Sequence, residues 1–89
     1  MSVTDQLADV AVQIAAQAAR QYLSRHNLRA DPSALRATLA SWIKIKLPEA
    51  LKDAREALDA GMGSVAESTF KATMASAGIE AAKEAGFPK

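Results

Sequence analysis

Lysine side chains that could contact an anionic partner occur in residues 42–48, where apolar and basic residues alternate. Successive side chains of a strand point to opposite faces, so this alternation is typical of a half-buried strand. One face would carry the apolar residues Ile43, Ile45 and Leu47. The opposite face would carry Trp42, Lys44 and Lys46. Lysine can donate to phosphates and to guanine in the major groove of DNA, so this segment is the first candidate for binding chemistry.

The positive charge of the chain is concentrated in its middle. The 89 residues have a formal net charge of +1, yet residues 20–52 hold seven basic and only two acidic side chains. The stretches on either side are mildly acidic. A basic middle suits an anionic partner such as nucleic acid, and a plain solvated helix face would give the same composition.

A long helix is predicted for residues 3–26, because this stretch is rich in Ala and Gln and lacks Gly and Pro. Ser2 or Thr4 would cap it. Its apolar residues form an arc of two adjoining stripes, wider than one packed neighbour requires. The arc comprises Val3, Leu7, Val10, Ala11, Ile14, Ala15, Ala18 and Tyr22, and beside them Val12, Ala16, Ala19 and Leu23. We therefore expect this helix to be central in a bundle or to be shared between the subunits of a homodimer or larger oligomer.

A second helix should begin at Asp31 and Pro32, with Asp as the N-cap and Pro at the first helical position. It should cover residues 33–40, and the pattern leaves open whether it continues to residue 47. The alternation of residues 42–47 favours a strand there. The helical alternative is favoured by apolar residues that share one helical face, namely Leu35, Leu39, Trp42 and Ile45. Pro48 should end the segment in either case.

Two further helices are predicted over residues 48–60 and 64–85. Gly61 is placed to end the first of them. Ser64 and Glu67 have the spacing of a capping box, in which each side chain would accept from a backbone amide of the other residue at the start of the second helix.

From residue 42 onward the order of elements is a strand, a proline, a short helix, a glycine turn and a serine-capped helix. This order resembles the ribbon-helix-helix DNA-binding family of the Arc/MetJ type. In that family two chains pair their strands into an antiparallel ribbon that lies in the major groove. The resemblance implies that Trp42, Lys44 and Lys46 would face DNA, and that Ser64 and Val65 would bind phosphate at a helix start. The residues that carry it lie within 42–75: Ile43-Lys44-Ile45-Lys46-Leu47-Pro48-Glu49, Leu51, Ala54, Leu58, Gly63-Ser64-Val65, Phe70 and Met74.

The other candidates for chemistry have simpler interpretations. His26 is the single histidine and the chain has no cysteine, so no set of metal ligands is apparent, and a place near a helix C-terminus suits its charge. The carboxylates Asp53, Glu56 and Asp59 have the spacing of a solvated helix face, and general acid–base chemistry needs a pocket that nothing in the sequence indicates. We expect no catalytic role, no metal and no cofactor.

These observations predict a single small domain over residues 1–89, mainly α-helical. Residues 1–40 would be a helical extension for oligomerisation or for a protein partner, and residues 41–85 a ribbon-helix-helix unit. The predicted function is that of a small homodimeric, duplex-DNA-binding protein, such as a transcriptional regulator, an antitoxin or a plasmid accessory factor. The alternative is an all-α four-helix bundle that acts as a protein–protein interaction module. No apolar run reaches the length of a membrane span and no signal peptide is apparent, so a cytoplasmic location is expected.

Overall fold

The computed structural model describes the backbone of residues 3–89 and the side chains from residue 9 onward. This part of the chain forms three helices, α1 (Val3–Arg25), α2 (Pro32–Asp59) and α3 (Gly63–Ala85), and two short strands, β1 (Leu28–Arg29) and β2 (Phe87–Pro88). The predicted mainly helical fold is therefore confirmed. The cap predicted at Ser2 or Thr4 lies outside the described residues and side chains.

One continuous helix, α2, replaces the predicted short helix, strand and third helix. The strand predicted over residues 43–47 is wrong, because these residues are helical. Ile45 was expected on the buried face of that strand, and instead its side chain is 64 % exposed. The four-helix bundle is not supported, since the second and third predicted helices are one element. The ribbon-helix-helix unit is unconfirmed.

Pro48 lies inside α2 and does not end it. A proline in a helix interior removes a hydrogen bond and costs about 3 kcal/mol. Ile43 and Leu47 on one side of Pro48, and Ala50 and Leu51 on the other, all pack into the core. Burial of a large aliphatic side chain is worth about 1.5–3 kcal/mol, so packing on both sides outweighs the local cost. Pro48 itself is exposed.

Both ends of α2 lie where local sequence signals predict a helix boundary. The backbone amide of Ala34 donates to the carboxylate of Asp31 at 3.1 Å, with Pro32 in the first turn, so the predicted N-cap is confirmed. At the other end Gly61 has a positive φ of 76°. The amides of Gly61 and Met62 donate to the carbonyls of Leu58 and Ala57, which is the Schellman arrangement that satisfies the last carbonyls of a helix.

The capping box predicted at the start of α3 is wrong. The N-cap residue of α3 is Met62, without a side-chain cap, and Ser64 lies within the first turn. Glu67 instead pairs with Lys71 at 2.8 Å on the surface of the helix. The hydrogen bond from Lys71 and its positive charge lower the pKa of Glu67.

Helix α3 lies against both other helices along its length, while α1 and α2 contact each other less. Small residues make this possible: Ala15 and Ala19 of α1, and Ala77 and Ala81 of α3, are fully buried. Met74 is the largest side chain with no exposed surface among the described residues. The molecule measures 46 × 26 × 17 Å, and its smallest dimension is less than two helix diameters. The core is therefore thin. No helix of the described chain has the length and hydrophobicity that crossing a bilayer requires.

Candidate functional site

The lysines predicted to face DNA do not share a face. Each residue of an α-helix is rotated by about 100° from the one before it. The side chains of Lys44 and Lys46, two positions apart, therefore point to nearly opposite sides of α2. Lys44 is exposed. The ammonium group of Lys46 lies 6.0 Å from the centroid of the Trp42 ring. The compact basic patch expected from a strand is absent from this segment.

Trp42 is anchored to α3. Its indole Nε1 donates to Oε2 of Glu84 at 2.7 Å, and its ring packs beside Ile43 in the core. Ser64 and Val65, the other two predicted DNA-binding residues, lie in the first turn of α3. Because they precede Glu84 by about twenty residues, roughly 30 Å of helix separates them from Trp42. The five predicted site residues are therefore not brought together.

The remaining candidate residues lie on the surface. His26 follows the last residue of α1, as predicted, and its ring packs against Tyr22 with centroids 4.2 Å apart. Asp53, Glu56 and Asp59 lie on the second half of α2, and only Asp53 is even half-buried. Among the described residues, no group of three or more His, Cys, Asp or Glu side chains could hold a metal ion.

An open apolar groove of about 670 Å³ lies between α1 and α2. We call it the α1–α2 groove. None of its lining residues belongs to α3, so it opens on a face that α3 does not cover. Its walls are Val12, Ala16, Arg20 and Leu23 of α1, Ala30, and Pro32, Leu35, Arg36, Leu39, Ala40 and Ile43 of α2.

The floor of this groove is where the two helices meet. Leu23 of α1 packs in one cluster with Leu35 and Leu39 of α2, and Ile43 lies in a cluster with Ala15. Above the floor the walls are low, because Ala16 and Ala40 have only methyl side chains. Val12 at the open edge is 50 % exposed. The groove therefore presents a long apolar surface to solvent.

Two arginines give the groove its charge. Arg20 of α1 and Arg36 of α2 both line it, and both are exposed. Neither forms an ion pair with any residue whose side chain is described. Ala19 and Leu23 belong to one cluster with Leu35. Arg20 and Arg36, their neighbours in sequence, therefore belong to the same end of the groove. This end can receive a carboxylate or another anion.

A smaller second groove, of about 360 Å³, lies at the other end of the molecule between all three helices. Val10 and Leu58 line it and are 42 % and 60 % exposed. Its charged residues, Glu67 and Lys71, already pair with each other. This groove therefore offers an apolar surface without an unsatisfied charge.

The sequence did contain part of the signal for the α1–α2 groove. Val12, Ala16 and Leu23 belong to the predicted second stripe of the first helix, whose width indicated more than one neighbour. The sequence does not predict the α2 wall, because the alternation in residues 43–47 favours a strand and so hides the continuous helical stripe from Leu35 to Ile43. Comparison with known proteins found no matching family model, no matching curated protein and no matching solved structure.

Proposed function

We propose that this protein is a non-catalytic helical interaction module, and that the α1–α2 groove binds an amphipathic helix of a protein partner. The observation that supports the proposal is the groove itself: apolar residues of two long helices line it, and no residue of α3 covers it. A helix that lies in such a groove buries its apolar face, as in other helix-in-groove complexes.

The shape of the molecule favours this function. A compact monomer of 9.4 kDa has about 5,000 Å² of accessible surface, whereas this chain has 5867 Å². The surplus of roughly 850 Å² is close to the area of about 800 Å² that each partner contributes to a standard protein–protein interface. An elongated molecule exposes more surface than a compact one of the same mass, and part of this surface is the apolar wall of the groove.

The charges restrict the partner. An occupant of the groove needs apolar residues at helical spacing and an acidic group at the end where Arg20 and Arg36 lie. Opposite charges at the rim of an interface steer association and set its orientation. The homodimer predicted from the apolar arc of α1 is the simplest assembly of this kind.

A selection experiment tests the groove as a binding site. A displayed library of amphipathic helical peptides, about 20 residues long and therefore about 30 Å in length, would be selected on the intact protein. Enriched peptides would then be measured by fluorescence anisotropy. We expect them to bind wild type and to lose at least about tenfold in affinity with Ala40→Glu, which narrows the groove.

The matched control is Ala37→Glu, the same change on the same helix at an exposed position that does not line the groove. It should leave binding unchanged. A second copy bound in the groove would exclude peptides, so failure to enrich any peptide contradicts the proposed function if the protein is also monomeric. Peptides that bind the Ala40→Glu variant as tightly as wild type would contradict it in either case.

A further inference from the structure

The exposed stripe of α1 beside the groove has opposite charges at its two ends. Asp9, Ala16 and Arg20 recur at helical spacing, with Val12 next to them, so they lie along one side of the helix. Asp9 lies in the first half of α1 and is exposed. Arg20 lies in the second half and lines the groove. Eleven residues separate them, which is about 16 Å along the helix axis.

This charge order is complementary to itself in one orientation only. When two copies of α1 run antiparallel about a two-fold axis midway between residues 9 and 20, Asp9 of each copy faces Arg20 of the other. A parallel pair would bring Asp9 against Asp9 and Arg20 against Arg20, which costs free energy. A closed two-fold interface uses the same surface patch on both subunits, so one stripe provides two ion pairs.

The groove completes the fit. The Arg20 end of the groove also holds Arg36 of α2, so a carboxylate delivered there meets two guanidinium groups that have no partner among the described side chains. Between Asp9 and Arg20 this side of α1 carries Val12, Gln13 and Ala16, and the small side chain of Ala16 lets two helices approach closely.

We infer that the occupant of the α1–α2 groove is helix α1 of a second copy, antiparallel, with Asp9 of each chain between Arg20 and Arg36 of the other. This inference rests on the proposed function, and it identifies the partner helix and its orientation.

Charge reversal tests the pairing. Interfaces of standard size have dissociation constants in the micromolar range or below, so wild type should sediment as a dimer at about 100 µM. Asp9→Arg places two arginines opposite each other, and Arg20→Asp places two aspartates opposite each other. Each single variant should therefore dimerise at least about tenfold more weakly.

Mixing the two variants restores the opposite charges. The arginine introduced by Asp9→Arg then faces the aspartate introduced by Arg20→Asp, and the unchanged Arg20 of the first chain faces the unchanged Asp9 of the second. An equimolar mixture should sediment as a heterodimer that is tighter than either variant alone. It should stay weaker than wild type, because the introduced arginine also meets Arg36 of the other chain. Both sites are exposed, and recovery in the mixture shows that each variant is folded. Arg55→Asp, an exposed change on α2 away from the groove, is the control and should leave the dimer intact.

The outcomes separate the two proposals. A wild type that is monomeric at about 100 µM, or single variants that are not rescued by mixing, would overturn the antiparallel dimer. If selected peptides still bind the groove in that case, the proposed function stands and only the identity of the partner is wrong. If neither self-association nor peptide binding involves the groove, both proposals fail.

Discussion

Gly78 of α3 lies directly against the backbone carbonyl of Ala15 in α1. A Cβ atom built on Gly78 would overlap that carbonyl oxygen and carbon. The obstacle is backbone and not the end of a flexible side chain, so it cannot move without shifting a helix. The absence of a side chain at Gly78 therefore sets how closely α1 and α3 approach, and the fully buried Ala15 and Ala77 lie at the same crossing.

We predict that Gly78→Ala destabilises the protein. Alanine favours a helix interior over glycine by about 1 kcal/mol, which alone would predict a gain. Forcing two packed helices apart costs about 1–3 kcal/mol or more, and we expect a net loss of about 1–2 kcal/mol. The measurement is the free energy of unfolding in urea. Gly63→Ala is the matched control, since nothing lies within 4 Å of a Cβ there. A Gly78→Ala variant as stable as wild type would refute the close crossing.

We predict that Pro48→Ala stabilises the protein. Alanine restores the amide that Pro48 lacks, so the helix can form its missing bond to the carbonyl of Lys44, and the exposed site needs no repacking. The expected gain is about 1–2 kcal/mol, less than the full cost of an interior proline because proline also restricts the unfolded chain. Pro32→Ala provides the comparison. Its position in the first turn has no partner for an amide, so no gain is expected there. Destabilisation by Pro48→Ala would contradict a helix through this residue.

Local sequence signals predicted the helix ends that depend on local contacts. The cap at Asp31, the stop at Gly61 and the end of α3 near Ala85 each rest on one residue and its neighbours. Local signals could not show whether α2 continues through residues 43–48. The conformation of this segment depends on whether Ile43, Leu47 and Leu51 can pack against α1 and α3, and those contacts are remote in sequence. Tertiary packing overrides local propensity at such positions.

The candidate site was predicted less well than the fold, and for the same reason. The α1 wall of the groove follows from the apolar arc, which can be read from helical spacing alone. The α2 wall requires a continuous helix from Leu35 to Ile43, and the close approach at Gly78 requires knowledge of which helices are neighbours. The pairing of β1 with β2, in which the Arg29 guanidinium lies 5.1 Å from the centroid of the Phe87 ring, has no signal in either short segment.

We predict that Glu84→Ala weakens the packing of α2 against α3 near Trp42. The lost hydrogen bond from Trp42 Nε1 to Glu84 is exposed to solvent, so the cost should lie near the lower end of about 0.5–1.5 kcal/mol. Trp42 is the single tryptophan of the chain, and its emission should change when the indole loses this partner. Glu56→Ala, an exposed change on α2, should alter neither quantity. An unchanged emission spectrum in Glu84→Ala would show that the bond is not formed in solution.

We predict that Lys44→Ala with Lys46→Ala has no special effect on the binding of duplex DNA. On α2 these side chains point to nearly opposite sides of the helix, so they contribute no more than any other two charges on its surface. The double variant Lys52→Ala with Arg55→Ala, on the same helix, is the matched control. In a mobility-shift titration with mixed duplex DNA at low salt, where even non-specific binding should appear at tens of micromolar, both double variants should behave alike.

A paired ribbon would instead place Lys44 and Lys46 together, and their loss would cost about 1–3 kcal/mol for each base contact removed. Binding that is lost in the Lys44/Lys46 variant and kept in the control would therefore restore the ribbon-helix-helix interpretation and contradict a helical segment 42–47 in the DNA-bound protein.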